Sequence, residues 1–206
     1  MNKLVVFDFD GTLADSVSVG LPLINSYSEK FGFKEIDLEK SKHLSAKEII
    51  FSADIKLWKL PYVIAYLRRR LSEKVSQIKC IEGIPELLKK LKESGFDLCI
   101  LTSNSKPTVT GFLKNNNLDS YFTYIKTGVS LFGKKRAIKS LKKKLGNDMI
   151  YVGDELRDVD ACRKTSTPVV SVTWGVNSPE VLEKANPGLL ASSPVEAFEK
   201  IMGLSK

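Results

Sequence analysis

The run Leu4-Val5-Val6-Phe7-Asp8-Phe9-Asp10-Gly11-Thr12-Leu13 places two carboxylates two residues apart, directly after an apolar stretch and directly before glycine and threonine. Carboxylates this close repel one another unless a cation neutralises them or one keeps its proton, so the pair implies bound metal or split pKa values. A Val- and Phe-rich strand that runs into Gly is predicted to be a buried parallel strand entering a tight loop, where open α/β sheets bind ligands. An Asp-x-Asp-Gly loop is equally the start of a calcium loop or a solvated turn. An EF-hand beginning at Asp8 needs Gly at its sixth position and Glu at its twelfth; Leu13 and Val19 stand there, which excludes it.

A second acidic group follows another apolar run: Met149 to Val152 leads into Gly153-Asp154-Glu155, with Asp158 a turn later. Asp158 has rival partners in Arg157 and Arg163 on its own helix. Phe96 to Leu101 leads into Thr102-Ser103-Asn104-Ser105, where Thr102 is either a ligand contact or the cap of the next helix. The strand ends of a parallel sheet share one edge, so Asp8, Asp10, Thr102, Asp154 and Asp158 can converge although far apart in sequence. Lysine follows a fourth turn at Lys134, with Lys135 beside it. Gly128 to Lys134 matches the first seven positions of a P-loop, but Lys135 stands where Ser or Thr must reach magnesium, which rejects it.

The elements that must hold these residues alternate from Ile84 onward, as helices at 84–93, 106–115, 134–145, around Asp158, at 179–184 and after Pro194. Strands are predicted at 96–101, 122–126, 149–152, 169–172 and near Leu189. This is the pattern of an α/β doubly wound parallel sheet, a Rossmann-like core. Residues 15–79 break the alternation with helical patterns alone and no strand. They are predicted to form a small α-helical cap inserted after the first loop, leaving 1–14 and 80–206 as the core, with Trp58 and Tyr62 in the cap's interior. An insertion there can exclude water and supply substrate contacts.

The 206 residues, 43% apolar, suffice for such a core. No apolar run reaches the roughly 18–20 residues of a membrane span, and Asp8 interrupts the N-terminal one, so a signal peptide is not expected and a cytoplasmic location is. Cys80, Cys99 and Cys162 are widely spread and are expected to fill core positions rather than pair or bind zinc. The net charge of +8 raises nucleic-acid binding. Against it, the densest basic run carries Ala137, Ile138, Leu141 and Leu145 at helical spacing, which turns its lysines to solvent. Such a surface also steers anionic metabolites.

The ordered set DFDGTL, LTSN, the lysine of LFGK, and GDELRD resembles the haloacid dehalogenase-like hydrolases, specifically phosphatases with a helical cap of the phosphoglycolate phosphatase type, over nearly the whole chain. The resemblance implies a phosphatase in which Asp8 is the nucleophile and forms an aspartyl-phosphate, and Asp10 the general acid and base. It implies Mg2+ held by Asp8, Asp10 through its carbonyl, Asp154 and Asp158, with Glu155 ordering a metal-bound water. Thr102 and neighbouring groups at Thr12, Ser103 and Asn104 would bind the phosphoryl oxygens, and Lys134 would offset charge. The implied partner is a small phosphorylated metabolite, with the chain a monomer or homodimer. Lys42-His43-Leu44-Ser45 stands where many phosphoglycolate-type relatives carry a glycine-containing loop, so phosphoglycolate itself is not implied. Lys42 and His43 are the polar candidates for reading the substrate. A phosphomutase and a non-catalytic basic binding module are the competing readings.

Overall fold

A computed structural model describes residues 3–146 and 148–205. Its centre is a six-stranded, all-parallel sheet in the order Phe122–Lys126, Asp97–Leu101, Leu4–Phe7, Met149–Gly153, Val169–Val172 and Leu190–Ala191. The strands are β1 (Leu4–Phe7), β4 (Asp97–Leu101), β5 (Phe122–Lys126), β6 (Met149–Gly153), β7 (Val169–Val172) and β8 (Leu190–Ala191). β1 lies between β4 and β6, so both its edges are hydrogen-bonded, and helices pack on both faces of the sheet, which is why it is an unbroken apolar run. Its side chains alternate between two cores: Val5 and Phe7 join Leu98, Ile100, Ile150 and Val152 on one face, Leu4 and Val6 join Cys99, Leu101 and Tyr151 on the other. The chain order reverses at β1, and the crevice outside the carboxyl ends of its neighbours is where such sheets bind ligands.

The helices covering the sheet are α6 (Ile84–Glu93), α7 (Lys106–Asn115), α8 (Lys134–Leu145), α9 (Leu156–Arg163), α10 (Pro179–Ala185) and α11 (Pro194–Leu204). On α8, Ala137, Ile138 and Leu141 are buried while Lys135, Arg136 and Lys139 are exposed, so its basic face points to solvent. Cys99 and Cys162 are buried and Cys80 is half-buried. Among the described residues no helix is long and apolar enough to cross a membrane.

Between β1 and α6 lie α1 (Val17–Asn25), α2 (Ser28–Phe31), α3 (Leu38–Ser41), α4 (Ala46–Ser52) and α5 (Leu60–Glu73). The expectation of no strand in this region needs correction. β2 (Ala14–Asp15) and β3 (Lys79–Cys80) pair antiparallel where the chain leaves and re-enters the core. Two-residue strands carry too little periodicity to be read from sequence, and the pairing spans the whole insertion. The placement of Trp58 and Tyr62 is a second correction: they are 79% and 64% exposed. The insertion's own core is Phe31, Phe33 and Val63, with Ile24, Tyr27, Ile55, Tyr66 and Leu67 against it. On α5 the inward face is taken by Val63 and Leu67, four apart, which leaves Tyr62 on the outward stripe, while Trp58 lies in the short 3-10 turn Leu57–Lys59 ahead of α5 and points to solvent.

Candidate active site

Phe9 fixes the first loop. Its ring is buried edge-on against Phe112 of α7, with centroids 5.0 Å apart, and its carbonyl accepts from the amides of Thr12, Leu13 and Ala14 at 3.0–3.3 Å. With Phe9 locked inward, Asp8 and Asp10 both face the carboxyl edge of the sheet. Gly11 closes the turn at φ +73° and passes so close to Asp154 that a Cβ there would strike the carboxylate, as would one at Gly175. Asp8 is buried and accepts from the Phe9 amide through Oδ1 at 2.8 Å.

The loop after β6 and the helix α9 that follows it bring two more acids to Asp8. The carboxylates of Asp8, Asp154 and Asp158 each place an oxygen within 4.8 Å of the others, and all three are buried. Lys134, at the start of α8 and itself buried, donates through Nζ to Asp8 Oδ2 and to Asp158 Oδ1. Lys135 is exposed, so of the two lysines it is Lys134 that the fold places beside these acids. Asp158 therefore pairs with Lys134 and not, as its own helix allowed, with Arg157 or Arg163. Arg157 instead pairs with Glu155 at 2.5 Å, and the Glu155 carboxylate expected near a metal-bound water is engaged there. Burial would depress the Lys134 ammonium, but the carboxylates of Asp158 and Asp8 outweigh it and hold the group above its ordinary range.

Asp154 is held by the Thr12 hydroxyl, which donates to Oδ1 at 2.7 Å, and by the Val176 amide, which donates to Oδ2 at 2.7 Å. Burial, then the neighbouring charges of Glu155, Asp8 and Asp158, raise its pKa well above the carboxylate range. Asp158 is raised by the same kind of burial to about 6. Ionised together, the three buried carboxylates would exceed the charge of the one buried lysine, which is the repulsion that, after burial, raises Asp154 and Asp158 and that a cation would relieve. The oxygen-only donor set suits a hard divalent cation, so these residues fit Mg2+.

Asp10 stands apart from this cluster. Ser16 Oγ and Asn104 Nδ2 both donate to its Oδ1, at 2.6 and 2.8 Å. Burial raises its pKa most; those two hydrogen bonds lower it and the Asp8 charge raises it further, with the net direction upward. Asn104 thus orients a carboxylate, while Thr12 orients Asp154. Thr102 is buried and accepts from the Asn104 amide at 2.9 Å; the cap of α7 is Ser105, whose hydroxyl accepts from the Thr108 amide. Ser103 lines the cleft above Asp10.

Lys42 and His43 are not brought to the cleft. The Lys42 ammonium pairs with Glu39 at 2.7 Å, and its carbonyl accepts from the Ser178 amide and Asn177 Nδ2. His43 Nδ1 lies 3.2 Å from Ser178 Oγ. Asn177 is the buried link: Nδ2 also donates to the Leu44 carbonyl, and Oδ1 accepts from the Leu156 amide. The turn at 42–44 is therefore a brace between the insertion and the loops that carry Asp154. Ser16, Arg68, Val176 and Asn177 were not singled out from sequence. Each belongs to a common polar or apolar type in a loop or helix, without a spacing signal.

Residues 5–172 match the family model described as haloacid dehalogenase-like hydrolase. A phosphoglycolate phosphatase of Synechococcus elongatus is 31% identical over 99% of both chains. A crystal structure of a predicted phosphatase from Clostridium acetobutylicum superposes with a TM-score of 0.84 at 28% identity, covering 98% of this chain and 99% of that one. A predicted phosphoglycolate phosphatase from Haemophilus somnus shares the fold, with a TM-score of 0.73 at 21% identity over 100% and 98% of the chains.

Proposed function

The chain belongs to the haloacid dehalogenase-like hydrolase family, and from that premise we propose that it is a magnesium-dependent phosphatase acting on a small phosphate monoester through a phosphorylated Asp8. The observation that carries this reading is the buried cluster of Asp8, Asp154 and Asp158 around Lys134, with Asp10 held separately by Ser16 and Asn104.

Asp8 is the nucleophile because it ends the central strand with its carboxylate buried, fixed through Oδ1 by the Phe9 amide and charge-balanced through Oδ2 by Lys134. Its oxygen attacks phosphorus, the bond from phosphorus to the alcohol oxygen breaks, and water later releases phosphate from Asp8. Asp10, two residues on, is held with its pKa raised, the state a proton donor requires. It gives its proton to the leaving alcohol oxygen and takes one back from the attacking water. Asp8, Asp154 and Asp158, with the Asp10 carbonyl, would hold Mg2+, which supplies charge neutralisation at the phosphoryl oxygens. Thr102 and Ser103 lie on the β4 loop beside Asp10 and serve the phosphoryl oxygens from that side. The braced helical insertion acts as the cap over this site. A panel of phosphate monoesters, assayed for phosphate release with and without Mg2+, tests the reading. Release that depends on Mg2+ supports it; no release from any monoester overturns it.

Asp10→Asn should lower turnover by roughly 10²–10⁴-fold on alkyl phosphates. The loss should shrink for aryl phosphates whose leaving groups need little protonation. The alkaline limb of the pH profile, where activity falls as pH rises through the raised pKa of Asp10, should vanish in the variant. An equal loss across leaving groups would contradict the proton-transfer role.

Asp154→Ala should weaken Mg2+ binding, read by calorimetry or by the metal-induced rise in Tm, by at least the roughly 10–100-fold that loss of a supporting group costs. Unchanged affinity would place the metal elsewhere.

A further inference from the structure

The cleft that opens over Asp10 has a volume of about 340 Å³ and is floored by Asp10, Ser16, Ser103 and Asn104. Above this polar floor its walls come from the insertion: Leu21 and Ile24 of α1, Ile49 of α4, and Ile64 and Leu67 of α5. Among the described residues, Arg68 is the single charged residue besides Asp10 that lines it. Arg68 Nη2 donates to the Val129 carbonyl at 3.4 Å, and the Val129 amide donates to the Thr102 carbonyl at 3.1 Å. The guanidinium is thus tethered beside the β4 loop, at the phosphoryl end. Among the described residues the far end has no ionic partner to offer a carboxylate or a second phosphate.

Resting on the phosphatase reading above, we propose that the alcohol part of the substrate is a predominantly apolar body, larger than glycolate, seated between α1, α4 and α5 with its oxygen at Asp10. Two considerations fix this class. Asp10 lines the cleft and is also the residue placed to protonate the leaving oxygen, so what leaves Asp10 must lie in this cleft. Polar hydroxyls or charges pressed against Leu21, Ile24, Ile49, Ile64 and Leu67 would lose hydration without a partner, whereas methylenes or a ring would gain by burial. An apolar cavity near 150 Å³ accepts benzene, and this cleft has more than twice that space. The braced turn at 42–44 holds the apolar wall over Asp10 without entering it.

The test is a series of n-alkyl phosphates from ethyl to hexyl, with phosphoglycolate beside them, assayed as kcat/KM for phosphate release in Mg2+. The wild-type protein should gain about fourfold per added methylene, the worth of one buried CH₂, and should prefer hexyl phosphate to phosphoglycolate by at least tenfold. Leu21 and Ile64 lie outside the buried clusters. Ile64→Gln, and independently Leu21→Gln, should each cut the hexyl-to-ethyl ratio at least tenfold. Phosphate release that is flat or falling with chain length, or fastest on phosphoglycolate, overturns the apolar class and leaves the phosphatase reading standing. No release from any member of the series overturns that reading, and this inference with it.

Discussion

Asp8→Asn is expected to reduce turnover of every monoester by roughly 10⁴-fold or more, because the amide cannot form the phosphorylated intermediate and the remaining groups retain only binding and charge stabilisation. The substitution keeps shape and volume at a position buried between Phe9 and Lys134, so circular dichroism and Tm should report a folded protein. The loss should be the same for good and poor leaving groups. That separates it from Asp10→Asn, whose loss depends on the leaving group. Turnover above a few per cent of wild type, from a preparation free of other phosphatases, would remove Asp8 from the chemistry.

Lys134→Met is expected to have the largest effect on stability. Lys134 is 3% exposed and is the cation that both Asp8 and Asp158 share. Methionine fills similar space but leaves two buried carboxylates without a counter-charge, a defect of about 3–5 kcal/mol for breaking a buried pair. Urea unfolding in chelator at neutral pH should show this loss. The deficit should shrink as pH falls, because Asp158, which burial already raises to about 6 with Lys134 in place, is raised further once that cation is gone, and its protonation removes one of the orphaned charges. Turnover should fall by roughly 10²–10³-fold, as when a charge-stabilising donor is lost. Lys135→Met, on the exposed neighbour, should leave stability within about 0.5 kcal/mol of wild type.

The contrast between these lysines shows what was legible in the sequence. The strands were legible because a strand covered on both faces is an unbroken apolar run ending at a loop, as Leu4 to Phe7 and Met149 to Val152 are. Asp8, Asp154 and Asp158 were legible because acids recur at those ends, and one sheet edge must collect them. What decided between Lys134 and Lys135 was the phase of α8, whose first residue points at Asp8 while the second points at solvent. Sequence spacing favoured the first but could not exclude the second.

The insertion was harder to read for a physical reason. Short helices around a small aromatic core allow more than one stripe to serve as the interior. Val63 and Leu67 won that place, and Trp58 and Tyr62 did not. Lys42 and His43 drew attention as polar residues in the insertion, yet the turn is used for its backbone carbonyls, which Asn177 binds from 133 and 135 residues away. Ser16 announces itself only once the folded chain brings it to Asp10, and Asn104, expected at the phosphoryl oxygens, instead donates through Nδ2 to the Asp10 carboxylate. The apolar wall of Leu21, Ile24, Ile49 and Ile64 was hidden likewise, because residues lining a cleft and residues filling a core share the same periodicity.

The central claim is that phosphate passes through Asp8, and trapping the intermediate tests it most directly. Protein mixed with a turned-over monoester and Mg2+, then quenched with borohydride, converts an aspartyl-phosphate to homoserine, which peptide mass mapping locates. The account predicts homoserine at position 8, dependent on substrate and absent from Asp8→Asn. Turnover with no modification at position 8, or with homoserine at position 10, would contradict it.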